Sequence, residues 1–169
     1  MNKLKLVKPL PEHKQAALEF RQESIDADSH IHGSGGLQRY EIYEKWLNNI
    51  QTAHANNPKL VPCDVYFGVY DNKIMGIIAV RHKLNKDLLK IGGHIGYSVR
   101  PSERRKGYAS AMLALALEEC KKLNIKKVLL TCRKDNIASA RTIIKNGGVL
   151  ENEVTENNGG IVQRYWIDL

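Results

Sequence analysis

Val99-Arg-Pro-Ser-Glu-Arg104-Arg-Lys-Gly107-Tyr-Ala109 is the stretch on which the reading of this sequence turns. A strand-like run precedes it and a helical run follows it. At a helix start the first backbone N–H groups have no partner within the helix. They point outward, and the helix dipole adds partial positive charge. A phosphate is well held there. Gly107 removes a side chain where a pyrophosphate would approach the backbone. Ala109 keeps the first turn narrow, and Arg104, Arg105 and Lys106 bring three cations beside it. The same residues also suit a plain basic helix start with Gly107 as a turn residue. Neither a Gly-x-x-x-x-Gly-Lys-Ser/Thr loop nor a Gly-x-Gly-x-x-Gly fingerprint occurs, so a P-loop and a dinucleotide-binding turn are excluded.

Outward from this loop, the pattern alternates between strand and helix signals. Upstream, residues 94–99 read as a strand that Pro101 closes. Val65, Phe67 and Val69 alternate with Tyr66, Gly68 and Tyr70, and residues 74–80 form a second apolar run. Asp71-Asn72 between them predicts a hairpin. Residues 81–90 are a charged connection. Downstream, Ala109, Met112, Leu113, Ala116, Leu117, Cys120 and Leu123 make a helical stripe over residues 106–123. A short buried strand is expected over 128–131. A helix follows over 137–146, ended by Gly147-Gly148. Residues 149–154 and 161–167 flank Asn157-Asn158-Gly159-Gly160 and predict a closing hairpin. Toward the N-terminus, Leu4 and Leu6 suggest a strand. Residues 12–23 and 37–55 read as helices, and 24–36 as a loop. The fold class expected is α/β, in the mixed α+β sense. One central, mostly antiparallel twisted sheet would carry helices on both faces, in a single domain over residues 1–169.

Composition bounds the function. The 169 residues suit one domain, and 26 Lys+Arg against 18 Asp+Glu give +8. That surplus favours anionic partners, whether nucleic acid, a membrane surface or a polyphosphate cofactor. Aromatic content of 7% and the lack of an RNA-binding aromatic pattern disfavour nucleic acid. Cys63, Cys120 and Cys132 are widely spaced and odd in number, which argues for free thiols. The N-terminal stretch has no long apolar run, and no segment reaches membrane-spanning length. A cytoplasmic protein without nucleic-acid or membrane partners is expected.

The pattern Arg104-x-x-Gly107-x-Ala109, after Val99-x-Pro101, resembles motif A of the GCN5-related N-acetyltransferase (GNAT) superfamily. The segment Asp135-Asn136-Ile137-Ala138-Ser139-Ala140-Arg141, ending Lys145-Asn146-Gly147, looks like its motif B, and the element order is similar. The resemblance, to a bacterial-type member, spans nearly the whole chain and is strongest from about Cys63 onward. It implies an acyltransferase that uses acetyl-CoA as co-substrate. No metal is expected, because His30-Ile31-His32 and Asp26 lack a recognised ligand spacing. Backbone amides of Arg104, Arg105, Lys106, Gly107, Tyr108 and Ala109 would hold the pyrophosphate. The strand at Tyr97 and Val99 would pair with the pantetheine arm, and Asn136 would face it. Asn136 equally suits a helix N-cap.

The chemistry is less clear in the sequence. Family members carry a carboxylate base on the strand before motif A. Here Gly93 stands at about that place, with His94 beside it. His94 is a candidate base, or else a structural histidine bonded to the sheet. The family tyrosine that protonates the leaving thiolate aligns with Ile143, which leaves Tyr97 as the nearby phenol. Cys132 suggests a covalent route, though buried cysteines are mostly inert. The acceptor site is expected in residues 24–36, at His32, Gly33 and Ser34, where Asp26, Asp28 and His30 could hold a cationic amine. The acceptor would be a primary amine of a small molecule or a protein. A non-catalytic coenzyme A sensor and a basic nucleic-acid module are the alternatives. An exposed edge near the C-terminal hairpin could support a homodimer.

Overall fold

The computed structural model describes residues 3–169; Met1 and Asn2, the start of the N-terminal stretch read above for targeting, lie outside them. Strand β1 (Lys5–Val7) leads through a 3-10 turn (Pro11–His13) into α1 (Lys14–Asp26). A second 3-10 turn (Leu37–Arg39) precedes α2 (Tyr43–Asn56). Strands β2 (Cys63–Tyr70) and β3 (Lys73–Arg81) follow, then the short helix α3 (Lys86–Lys90) and β4 (Ile95–Val99). The second half is α4 (Tyr108–Lys122), β5 (Lys127–Arg133), α5 (Ile137–Lys145), β6 (Val149–Thr155) and β7 (Ile161–Asp168).

The expected class holds: antiparallel strands with helices on both faces. The sheet is in two pieces, however. β1-β2-β3-β4 form one antiparallel sheet, and β5-β7-β6 form another. Period-2 alternation in β2 and β3 explains the layering. Val65, Phe67, Ile77 and Ala79 face α1 and α2, whose Phe20, Trp46 and Leu47 complete one core. Tyr66, Ile78 and Val80 face the other way, onto Met112, Leu113 and Ala116 of α4. Asp71 and Asn72, at φ 50° and 59°, make the tight turn predicted between β2 and β3.

Several boundaries differ from the sequence reading: α1 runs on to Asp26, past the expected 12–23, and β5 spans Lys127–Arg133 rather than 128–131. The helix expected over 37–55 breaks at residues 40–42, because Ile42 is extended (φ −105°, ψ 112°). The connection 81–90 contains α3, which Asn85 caps by accepting from the Leu88 N–H. Helix α4 starts at Tyr108, two residues later than expected, because Gly107 is left-handed at φ 88°. Among the described residues no helix is long and apolar enough to cross a membrane.

Candidate active site

The two sheets meet at one place and part beyond it. The His94 N–H donates to the Leu129 carbonyl at 2.7 Å. The Leu129 N–H returns a bond to Nδ1 of His94 at 3.0 Å. The Gly92 N–H donates to Oγ1 of Thr131 at 2.9 Å. Past that joint lies a cavity of about 380 Å³, lined by Gly96 and Tyr97 of β4, Thr131 and Cys132 of β5, and Asn136 and Ser139 of α5. Antiparallel strands point alternate residues' backbone groups to opposite sides. The Arg100 N–H and the His94 carbonyl both bond to β3. The even-numbered residues of this strand therefore pair with β3, and Tyr97 and Val99 turn their backbone groups away from it.

The loop after β4 fits an anion. Helix α4 has no side-chain cap at Gly107, so its first amides stay open. A Cβ built at Gly107 would meet nothing within 4 Å, which leaves clear space before the helix start. Nε of Arg104 donates to the Val99 carbonyl at 3.4 Å, and its Nη2 donates to Oγ of Ser29. Lys106 pairs with Glu103 at 2.9 Å, and Glu103 also pairs with Lys73 at 2.7 Å. These two lysines hold the Glu103 carboxyl at about 2. Arg105 is exposed at φ 61°. Tyr108 packs its ring near Tyr70, at 6.1 Å between centroids, and Ala109 sits in the first helical turn.

Asn136 does cap α5, accepting from the Ser139 N–H at 3.1 Å. It also lines the cavity, so its amide nitrogen stays available there. The Tyr97 hydroxyl lies 3.0 Å from Oγ of Ser139. Burial raises its pKa, so it is protonated at neutral pH. Ile143 is fully buried in the core, which accounts for an aliphatic residue at that place. Cys132 lines the cavity, but burial raises its thiol pKa, so little thiolate forms.

His94 departs from the role expected for it. It is only 7% exposed, and burial, aided by Arg81, lowers its pKa to about 4. The neutral ring accepts at Nδ1, so its proton sits on Nε2 and no basic lone pair is left over. The geometry gives His94 the work of joining β4 to β5. Gly93 offers no alternative. It sits at φ 63°, and a Cβ there would come within 2.3 Å of the Leu129 carbonyl oxygen. No carboxylate can occupy that position without opening the joint.

A second, larger cavity of about 850 Å³ lies on the α1–α2 side, under residues 30–40. His32, Gly33 and Arg81 line both cavities and so form the neck between them. The His32 N–H donates to Oγ of Ser98 at 2.7 Å, and Gly33 lies directly on Gly96. Burial lowers the His32 pKa, and His30 lowers it further. Ser34 is buried with its hydroxyl committed. It donates to the Ile31 carbonyl at 2.9 Å and accepts from the Leu37 N–H at 3.2 Å. Its role is to shape the loop. Asp26 and Asp28 do not line this cavity, which removes the acidic seat expected for a cationic amine. Among the described residues no group of three or more His, Cys, Asp or Glu side chains could hold a metal ion.

Sequence reading missed Arg100 and Glu23. Buried Arg100 donates from Nη1 to Oε2 of Glu23 at 2.9 Å, and Oε1 of Glu23 accepts from the Ser102 N–H at 2.8 Å. This clamp fixes the turn before the loop 104–107. Arg100 lies within the quoted stretch, but nothing in its spacing marks it as buried.

Comparisons with known proteins agree with this geometry. No curated protein matches the sequence. Among solved structures, RimL, a ribosomal L7/L12 alpha-N-protein acetyltransferase in complex with coenzyme A, is 18% identical at TM-score 0.71, covering 98% of this chain and 94% of that one. MccE, a microcin C7 self-immunity acetyltransferase in complex with acetyl-CoA and AMP, is 18% identical at TM-score 0.69, covering 99% and 93%. A chimera of spermidine N-acetyltransferase SpeG from Vibrio cholerae and hSSAT is 17% identical at TM-score 0.67, covering 98% and 95%. These likenesses carry the fold. The Acetyltransferase (GNAT) family matches residues 23–147, which include the loop 104–107, β4, the joint and α5. The chain belongs to the GNAT acetyltransferase family and is a transferase.

Proposed function

We propose that this chain moves an acetyl group from acetyl-CoA directly to a primary amine of a small molecule or protein. One observation carries the reading: the unpaired edge of β4 borders a cavity and leads through a short loop to the uncapped start of α4. An extended arm bearing amides can add to such an edge, and a pyrophosphate can sit on such a helix start. The residues present therefore fit acetyl-CoA, which supplies an activated acyl group as a thioester. Amides of Arg104 to Ala109 hold its phosphates, with Arg105 as the added cation. Backbone groups of Tyr97 and Val99 hold its arm, and the Val99 N–H donates to the acyl oxygen as charge develops there.

Proton handling falls to two side chains. His32, in the neck, takes the proton from the attacking amine. The Tyr97 hydroxyl gives a proton to the departing sulfur, replacing the motif B tyrosine that Ile143 displaces. Free cysteines support a cytoplasmic setting. We assign no role to nucleic acid or membrane. Strand β6 has β7 on one side only. Its exposed apolar residues support pairing with a second copy of the chain.

The test is calorimetric titration of acetyl-CoA. The parent binds, and Gly107→Glu, which puts a carboxylate into the clear space, weakens binding at least about 100-fold. No binding by the parent overturns the proposal. The buried Ile143 favours one second reading, a coenzyme A sensor. Acetyl-CoA binding without thiol release over a broad amine panel is the outcome that selects it.

A further inference from the structure

The larger cavity is positively charged, and its cations are unmatched. Arg39, Lys59 and Arg81 line it, and Asp87 is the one carboxylate among its lining residues. His30, His32 and His54 add three imidazoles. Elsewhere cations find carboxylates: Lys8 pairs with Asp64, Lys14 with Glu44, and Lys73 with Glu103. The three cavity cations pair with none. Arg81 donates from Nη1 to the carbonyls of Gly92, at 3.3 Å, and Gly93, at 2.9 Å, which leaves its charge uncompensated. Arg39 and Lys59 are exposed and form no ion pair among the described residues.

Unmatched cations around an open cleft raise its potential and draw anions into it. They also repel an ammonium, which shifts an entering amine toward its neutral, nucleophilic form. His32 lies in the same lining beside His30, and burial and that second imidazole lower its pKa. Charge thus does two jobs here. It selects the acceptor, and it eases the deprotonation that no carboxylate at position 93 can assist.

We propose that the acceptor is a primary amine whose far end carries an anionic group, a carboxylate or a phosphate, held by Arg39 and Lys59 while the amine enters the neck at His32 and Arg81. This rests on the acetyl-transfer reading. Amine nitrogen bonds to the acyl carbon, the carbon–sulfur bond breaks, and the amine proton passes to His32 as sulfur takes one from Tyr97. A polyamine is the wrong guest, because three cations face it and Asp87 is the one carboxylate in the lining.

The test follows thiol release from acetyl-CoA with four probes: 3-aminopropyl phosphate, 4-aminobutyrate, butylamine and spermidine. The expected kcat/KM for the two anionic probes exceeds that for butylamine by about tenfold or more, with spermidine lowest. The phosphate and carboxylate arms rank the two anions. The double variant R39Q/K59Q brings the anionic probes down toward butylamine, mainly through KM, and its acetyl-CoA affinity reports that the fold is intact. Equal or better turnover of butylamine or spermidine overturns the inference, as does a preference that survives R39Q/K59Q. Failure to bind acetyl-CoA overturns the parent reading instead. If acetyl-CoA binds but no probe turns over, titration of 3-aminopropyl phosphate into coenzyme A-saturated protein decides. No binding there overturns the inference alone.

Discussion

Two histidines separate chemistry from architecture. His94 is buried, neutral and bonded at Nδ1 to the Leu129 N–H, whereas His32 is exposed in the neck between the cavities. Their variants should therefore fail in different ways. His32→Gln should lower kcat/KM by about 100-fold at neutral pH. It should also remove the acid limb of the profile. A base works only when deprotonated, and His32 titrates below 6.5, so activity rises with pH and levels off before neutrality. His94 acts on stability. Its folded pKa of about 4 lies below the ordinary 6.5, so between these values the unfolded chain binds the extra proton. Stability from this group is full above about pH 6.5 and falls as pH drops toward 4, by about 3 kcal/mol. His94→Asn keeps an acceptor for Leu129 and should flatten that fall, as urea midpoints at pH 7 and 4.5 would register. An unchanged slope in the variant refutes the assignment.

At the scale of elements, α2 holds the loop of residues 31–36 from a distance. Nε1 of fully buried Trp46 donates to the Ser34 carbonyl at 2.7 Å, holding residues 31–36 over β4. Trp46→Phe keeps an aromatic core residue but orphans that carbonyl, at a cost of about 1–3 kcal/mol. The acceptor KM should rise while the calorimetric Kd for acetyl-CoA stays put; a shift in Kd instead would mean that the loop serves the cofactor. Elements whose identity rests on local periodicity were legible in the sequence: the α4 stripe, the alternating β2 and β3, and the Asp71-Asn72 turn. The break before α2 was not, because Tyr40 and Tyr43 keep helical spacing across an extended Ile42. Nor was the split sheet, which depends on Leu129 meeting His94, 35 residues away. The helix start after Gly107 could be read because its residues are contiguous. The charge of the larger cavity could not, since Arg39, Lys59 and Arg81 converge from separate segments.

For the whole molecule, the +8 net charge and the two cavities tell one story. Phosphates at the Gly107 loop and an anion-bearing acceptor would both be drawn by the same sign of field. The β6 side of the molecule differs. Val149 is 70% exposed and Leu150 47%, and β6 is the outer strand of its sheet. An unpaired, partly apolar edge is a template for another strand. A second copy meeting it about a two-fold axis would bury both residues on both chains, since a two-fold contact uses the same patch twice. Val149 lines neither cavity, so association can be changed without touching the site. Sedimentation at micromolar concentration should give a dimer, and Val149→Lys, which adds two like charges across the axis, should give a monomer of unchanged acetyl-CoA affinity. A monomeric parent would overturn the pairing proposed for this edge.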